Sequence, residues 1–148
     1  MSCRRTAKTA DDLLIQARAM LPHRPSPVEA FNAQEYGALL VDIRGDDQRH
    51  ADGLIPGAIV LPRNSLEWRC DFSSQWRHPA ITSQEMHLIL VCNEGYQSSL
   101  AAATLQQLGL TDATDLDGGF TAWAASGLPV IAASAERPLS GTVGVWSG

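Results

Sequence analysis

Cysteine is scarce in this chain, with three in 148 residues: Cys3, Cys70 and Cys92. They are too few and too scattered for a disulfide scaffold. No two stand at metal-ligand spacing and no histidine follows at a zinc-like interval, so no metal site is expected. Long apolar runs are missing as well, which excludes a helix able to span a bilayer. Arg4-Arg5 resembles the start of a twin-arginine export signal, but Asp11 and Asp12 follow and no apolar segment of the needed length appears. An odd number of thiols without a leader points to a cytoplasmic protein. Aromatic residues make up 6% and charged residues 18%, with 45% hydrophobic overall, an ordinary balance for one soluble domain. The net charge of −5 gives no reason to expect nucleic acid or an anionic membrane as partner. Arg4, Arg5, Lys8, Arg18 and Arg24 crowd the first part of the chain and read best as a polar arm.

What is present is a reactive-looking thiol. Leu88-Ile89-Leu90-Val91 is a short apolar run that ends at Cys92. Asn93-Glu94-Gly95-Tyr96-Gln97 then turns the chain, and Ser98 opens a helix-like stretch to Leu108, stopped by Gly109. A thiol between a strand end and a helix start faces backbone N–H groups and the positive end of the helix dipole. That setting favours the thiolate, which is the nucleophile. The competing reading is a small buried residue closing a core strand.

The rest of the chain alternates strands and helices. Residues 9–21 have helical spacing, with Thr9 as N-cap and Asp11 and Asp12 in the first turn. Pro22, Pro25 and Pro27 end that helix and form a stiff connector. A second short helix is predicted over Phe31–Tyr36, with Asn32 as its cap. Leu39–Ile43, Ala58–Leu61, Leu88–Val91 and Ala113–Leu116 read as buried strands. A short helix with an irregular loop fills 62–82, and a last helix spans Thr121–Ala125, ended by Gly127 and Pro129. Strands without polar alternation, separated by helices, indicate an α/β domain around a parallel sheet covered on both faces. Such sheets bind ligands beyond the carboxyl ends of their strands, where both Asp42 and Cys92 fall. The expected organisation is an N-terminal helix and connector (1–27), one domain (28–131) and an Ala/Ser/Pro/Gly-rich tail (132–148).

Four motifs in order then carry a resemblance. They are Val41-Asp42-Ile43-Arg44; Gly53-Leu54-Ile55-Pro56-Gly57-Ala58 with Leu61-Pro62; Val91-Cys92-Asn93-Glu94-Gly95-Tyr96-Gln97-Ser98; and Leu116-Asp117-Gly118-Gly119-Phe120-Thr121-Ala122-Trp123. Together they resemble the rhodanese family of sulfurtransferases over residues 28 to 131. The resemblance implies a three-layer fold, with a central parallel sheet of about five strands between helices. It also implies sulfur transfer through a Cys92 persulfide, without cofactor, from thiosulfate or a persulfide to a thiol or cyanide-like acceptor, with a sulfur-relay protein among candidate partners. Two positions depart from the family pattern. Leu54 stands where a histidine is common, with His50 nearby. Gln97 stands where many members have Arg or Lys, and with Glu94 leaves the loop without a cation. A contact worth about 1.5–3 kcal/mol to an anionic donor is replaced by a neutral hydrogen bond at best.

Within this reading, main-chain N–H groups from Asn93, Glu94, Gly95, Tyr96, Gln97 and Ser98 bind the outer sulfur. Gly95 either supplies an unusual backbone conformation or merely turns the chain. Ser98 either donates its hydroxyl to sulfur or caps the helix, and capping is preferred. Asp42 and Arg44 are expected to form a charge network beside the loop rather than touch substrate. Trp68, Arg69 and Trp76 are candidates for the pocket mouth, though core packing is favoured. Nothing but its presence recommends Cys70 as a resolving thiol. A non-catalytic persulfide carrier, redox sensor or docking module is the alternative. A cysteine phosphatase ranks lower, because its clamping arginine would have to stand at Ser98.

Overall fold

The computed structural model describes residues 6–133, so Cys3, Arg4, Arg5 and the last fifteen positions of the tail lie outside the described residues. Four parallel strands form the sheet: β1 (Leu39–Asp42), β2 (Ile59–Val60), β3 (Leu88–Val91) and β4 (Ala113–Asp115), in spatial order β2-β1-β3-β4. Around them lie α1 (Ala10–Ala19), α2 (Pro27–Gln34), α3 (Asp46–Asp52), α4 (Leu66–Cys70), α5 (Gln97–Gln107) and α6 (Gly119–Ala125).

Every residue of β3 is buried, and its side chains alternate between two cores. Leu88 and Leu90 join Val41, Ile43, Leu66, Ala101, Ala102 and Leu105 on one face. Ile89 and Val91 join Leu40, Leu116, Phe120 and Trp123 on the other. The period of two along a strand forces this division. Continued one residue further, it places Cys92 on the face of Leu90, among the residues that pack against α5.

The resemblance implied about five strands, whereas the described residues form a sheet of four. The nearest thing to a fifth is a single antiparallel bridge, in which Leu54 and Ile131 exchange backbone bonds of 2.8 and 2.9 Å. Antiparallel extension would next set Pro56 against Pro129, neither of which has an N–H to donate, and in the other direction Asp52 already belongs to α3.

Helix α2 begins earlier than expected. Ser26 is its N-cap, Pro27 opens the first turn, and Ser26 and Glu29 form a capping box. Asn32 therefore lies inside the helix rather than at its start. Ser-Pro-x-Glu is a start signal, hidden here among prolines that read as breakers. Helix α3 has no counterpart among the expected elements, because Asp46–Asp52 has no buried residue and so no apolar period.

Candidate active site

Cys92 follows the last residue of β3, and α5 begins five residues later. The intervening loop folds back on the sulfur. The amides of Gly95 and Ser98 donate to Cys92 Sγ at 3.1 and 3.3 Å, and the Sγ–H donates to Ser98 Oγ at 3.2 Å. Cys92 is 7% exposed. It lies in a cleft of about 340 Å³ lined also by Ile43, Arg44, Gln48, Asn93, Glu94, Tyr96 and Gln97.

Two glycine positions make this loop possible. Gly95 has φ +90°, and a Cβ there would meet the Gly118 amide nitrogen at 2.9 Å. A Cβ on Gly119 would stand 2.7 Å from the Cys92 and Asn93 carbonyl oxygens. Because these backbones touch, the first turn of α6 satisfies the loop: Phe120 N–H donates to Cys92 O at 2.9 Å, and Thr121 N–H to Asn93 O at 3.0 Å. The Gly-Gly-Phe-Thr-Ala-Trp segment thus works as a brace for the cysteine loop, anchored by the fully buried Trp123.

Asp42 and Arg44 sit beside the loop as a buried pair. Arg44 donates to both carboxylate oxygens at 3.0 and 2.8 Å and to Gly53 O at 2.7 Å, with its guanidinium 3.9 Å from the Phe120 ring centre.

Ser98 does not cap α5. The cap position is Tyr96, with no side-chain bond to the helix. Instead Ser98 Oγ donates to Asp115 Oδ2 at 2.7 Å, as Ser99 Oγ does at 2.8 Å. Asp115, at the end of β4, is fully buried.

The sequence model of the rhodanese-like domain family matches residues 26–126. The chain belongs to the rhodanese-like domain family. It is 37% identical over 100 residues to the thiosulfate sulfurtransferase GlpE of Pseudomonas paraeruginosa, covering 68% of this chain and 82% of that relative. A Rhodopseudomonas palustris protein of unknown function, described as a possible tyrosine phosphatase, superposes with a TM-score of 0.75 at 28% identity over 85% of this chain and 96% of its own. The rhodanese-like domain of an Anabaena protein gives a TM-score of 0.63 at 22% identity, covering 79% of this chain and 84% of its own.

Beyond the family stretch, the polar-arm reading fails for Arg18 and Arg24. Arg18 donates to Gly95 O at 2.7 Å and to Ser99 Oγ at 3.0 Å. Arg24 donates to Asp115 at 2.7 and 3.2 Å and to Gly95 O at 3.2 Å. Burial pulls the Arg24 guanidinium down, but its hydrogen bond and charge contact with Asp115, aided by Asp117 and Cys92, outweigh this and hold it above its ordinary value. Sequence reasoning missed Arg18, Arg24, Ser99 and Asp115. Asp115 carried a signal, since like Asp42 it is a carboxylate at a strand's carboxyl end.

The aromatic candidates fall elsewhere. Trp68 and Trp76 are 56% and 44% exposed, neither core nor cleft lining. Arg63 takes the lip of the site instead, donating to Gln97 Oε1 at 3.2 Å and to Glu67 at 3.0 Å. Cys70 is fully buried in the core. Burial, with the Glu67 charge adding to it, pushes the Cys70 thiol up to about 12. Such a thiol is poorly suited to resolve a sulfur adduct. Among the described residues, no helix is long and apolar enough to cross a membrane.

Proposed function

We propose that this protein is a rhodanese-type sulfurtransferase that carries sulfur on Cys92. The observation that supports this most is the pair of main-chain amides, from Gly95 and Ser98, directed at Sγ inside an open cleft. Amides held in a fixed ring stabilise an anion without reorganising. The names of the GlpE relatives support the same reaction class.

The cycle has two displacements. The Cys92 thiolate attacks the outer sulfur of a donor, the donor's S–S bond breaks, and sulfite or a thiolate leaves with the bonding pair. Cys92–S–S⁻ remains. An acceptor, thiol or cyanide-like, then attacks the terminal sulfur and Cys92 departs as thiolate. No electrons are gained or lost overall, and the order is ping-pong. Asn93, Glu94, Gly95, Tyr96, Gln97 and Ser98 form the wall around the outer sulfur, while Asp42 and Arg44 hold the adjoining backbone.

Gln97 is neutral and is engaged by Arg63 at the lip. A persulfide on a small thiol or a relay protein therefore suits the site better than the thiosulfate dianion. A working thiol of this kind belongs in a reducing compartment, so we place the protein in the cytoplasm. The phosphatase reading finds less support: Ser98 occupies the position of the clamping arginine, and Arg18 and Arg24 are spent on the Gly95 carbonyl.

Mass spectrometry after incubation with thiosulfate or a low-molecular-weight persulfide tests the reading. The expected result is a gain of about 32 Da, one sulfur, on the Cys92 peptide, discharged by cyanide. Loading without discharge favours a carrier or sensor, and no loading from any donor overturns the proposal.

A further inference from the structure

The loop around Cys92 contains no cation of its own, yet two arginines reach it from behind. Arg18 lies on α1, and Arg24 in the connector before α2; both precede the stretch matched by the family. Their guanidinium groups converge on one atom, the Gly95 carbonyl oxygen, at 2.7 and 3.2 Å. Arg18 also lies 5.9 Å from the Tyr96 ring centre, and Arg24 neutralises Asp115, whose charge would otherwise face the sulfur through Ser98.

The geometry of a peptide unit gives this convergence a consequence. No peptide bond among the described residues is cis. In a trans unit the C=O and N–H point in opposite directions. A Gly95 carbonyl held toward the two arginines therefore turns the Tyr96 N–H the other way, toward the cleft side of the loop. Two cations on the carbonyl also polarise that unit and strengthen its N–H as a donor.

We propose that Arg18 and Arg24 are positioning residues for sulfur transfer, which aim the Gly95–Tyr96 peptide at the outer sulfur and supply from behind the positive field that Gln97 does not. The segment before the family stretch is then part of the working site. This inference rests on the reading of Cys92 as sulfur carrier.

The test separates the two. Alkylation of Cys92 is followed by peptide mass spectrometry with iodoacetate, an anion, and with iodoacetamide, its neutral counterpart. The ratio of the two rates reports the local field and needs no turnover. Arg18 bonds to a carbonyl and a hydroxyl, so R18Q strands no buried charge, whereas R24Q leaves Asp115 uncompensated and can fail to fold. In R18Q the ratio is expected to fall severalfold. The kcat for a neutral persulfide donor is expected to drop about tenfold with little change in KM, as for a misaimed donor. R18K restores most of the ratio, while K8Q, which removes a charge from an exposed position of the same segment, leaves it unchanged. A folded R18Q with parental ratio and kcat overturns the proposal, as does an equal fall in K8Q. A wild-type protein that takes up no sulfur, but whose alkylation ratio still depends on Arg18, overturns the sulfurtransferase reading and leaves the loop role standing.

Discussion

One hydroxyl separates Cys92 from Asp115. Ser98 Oγ lies 3.2 Å from the sulfur and 2.7 Å from the carboxylate, all three groups buried. The bridge ties the end of β3 to the end of β4 across the start of α5, and Arg24 offsets the carboxylate's charge from outside. Asp115 itself is a poor target for mutation, because stranding a buried partner costs about 3 kcal/mol. Ser98 is the better probe. Ser98→Ala removes two hydrogen bonds, worth about 1 kcal/mol each, and should lower kcat about tenfold while chemical denaturation finds the fold stable. Turnover equal to the parent would show that the hydroxyl takes no part.

Cys92→Ser is nearly isosteric, so the amides of Gly95 and Ser98 keep an acceptor and the melting temperature should stay within a few degrees of the parent. Sulfur transfer should vanish, since a serine hydroxyl forms no persulfide. Retained activity in a thiocyanate-release assay would move the chemistry to another cysteine.

Gln97→Arg adds a cation at the cleft wall, where Gln97 now accepts from Arg63. Thiosulfate should be turned over faster, with the gain in KM, while a neutral donor is little affected. An improvement of about tenfold corresponds to roughly 1.4 kcal/mol, within reach of one charge-assisted hydrogen bond. Unchanged thiosulfate kinetics would mean that loop charge does not limit the donor.

Cys70 gives the fold an alkaline sensitivity. Its thiol is raised by burial to about 12, whereas in the unfolded chain it ionises near its ordinary value of about 8.5. Between those values the unfolded state holds fewer protons than the native one, so stability falls as pH rises. The contribution is intact below about pH 8.5 and declines above it by at most about 1.4 kcal/mol per pH unit. Urea unfolding at pH 8 and pH 10 should show a smaller loss in Cys70→Ala than in the parent, and parallel losses would refute the assignment.

Much of this was legible along the chain. Leu88–Val91 as a buried strand, Cys92 at its end, the helix after it and the parallel α/β arrangement follow from local pattern and agree with the structure. Capping at Thr9 was equally plain, because Thr9 and Asp12 form a local capping box. What local pattern lacked was partners. Ser98 beside a helix start looks like a cap, but its hydroxyl is claimed by Asp115, seventeen positions away.

By itself, then, the sequence determined the four buried strands, the helices that carry an apolar period and which thiol stands where a strand meets a helix, because hydrophobic period and turn chemistry are short-range. Only the tertiary structure decided what surrounds that thiol. Arg18 and Arg24 reach Gly95 across separations of 77 and 71 residues, and Gly119 presses on the Cys92 carbonyl because two turns meet at one end of the sheet. Those neighbours are chosen by how α1, α5 and α6 pack on the strands, which no local run of residues encodes.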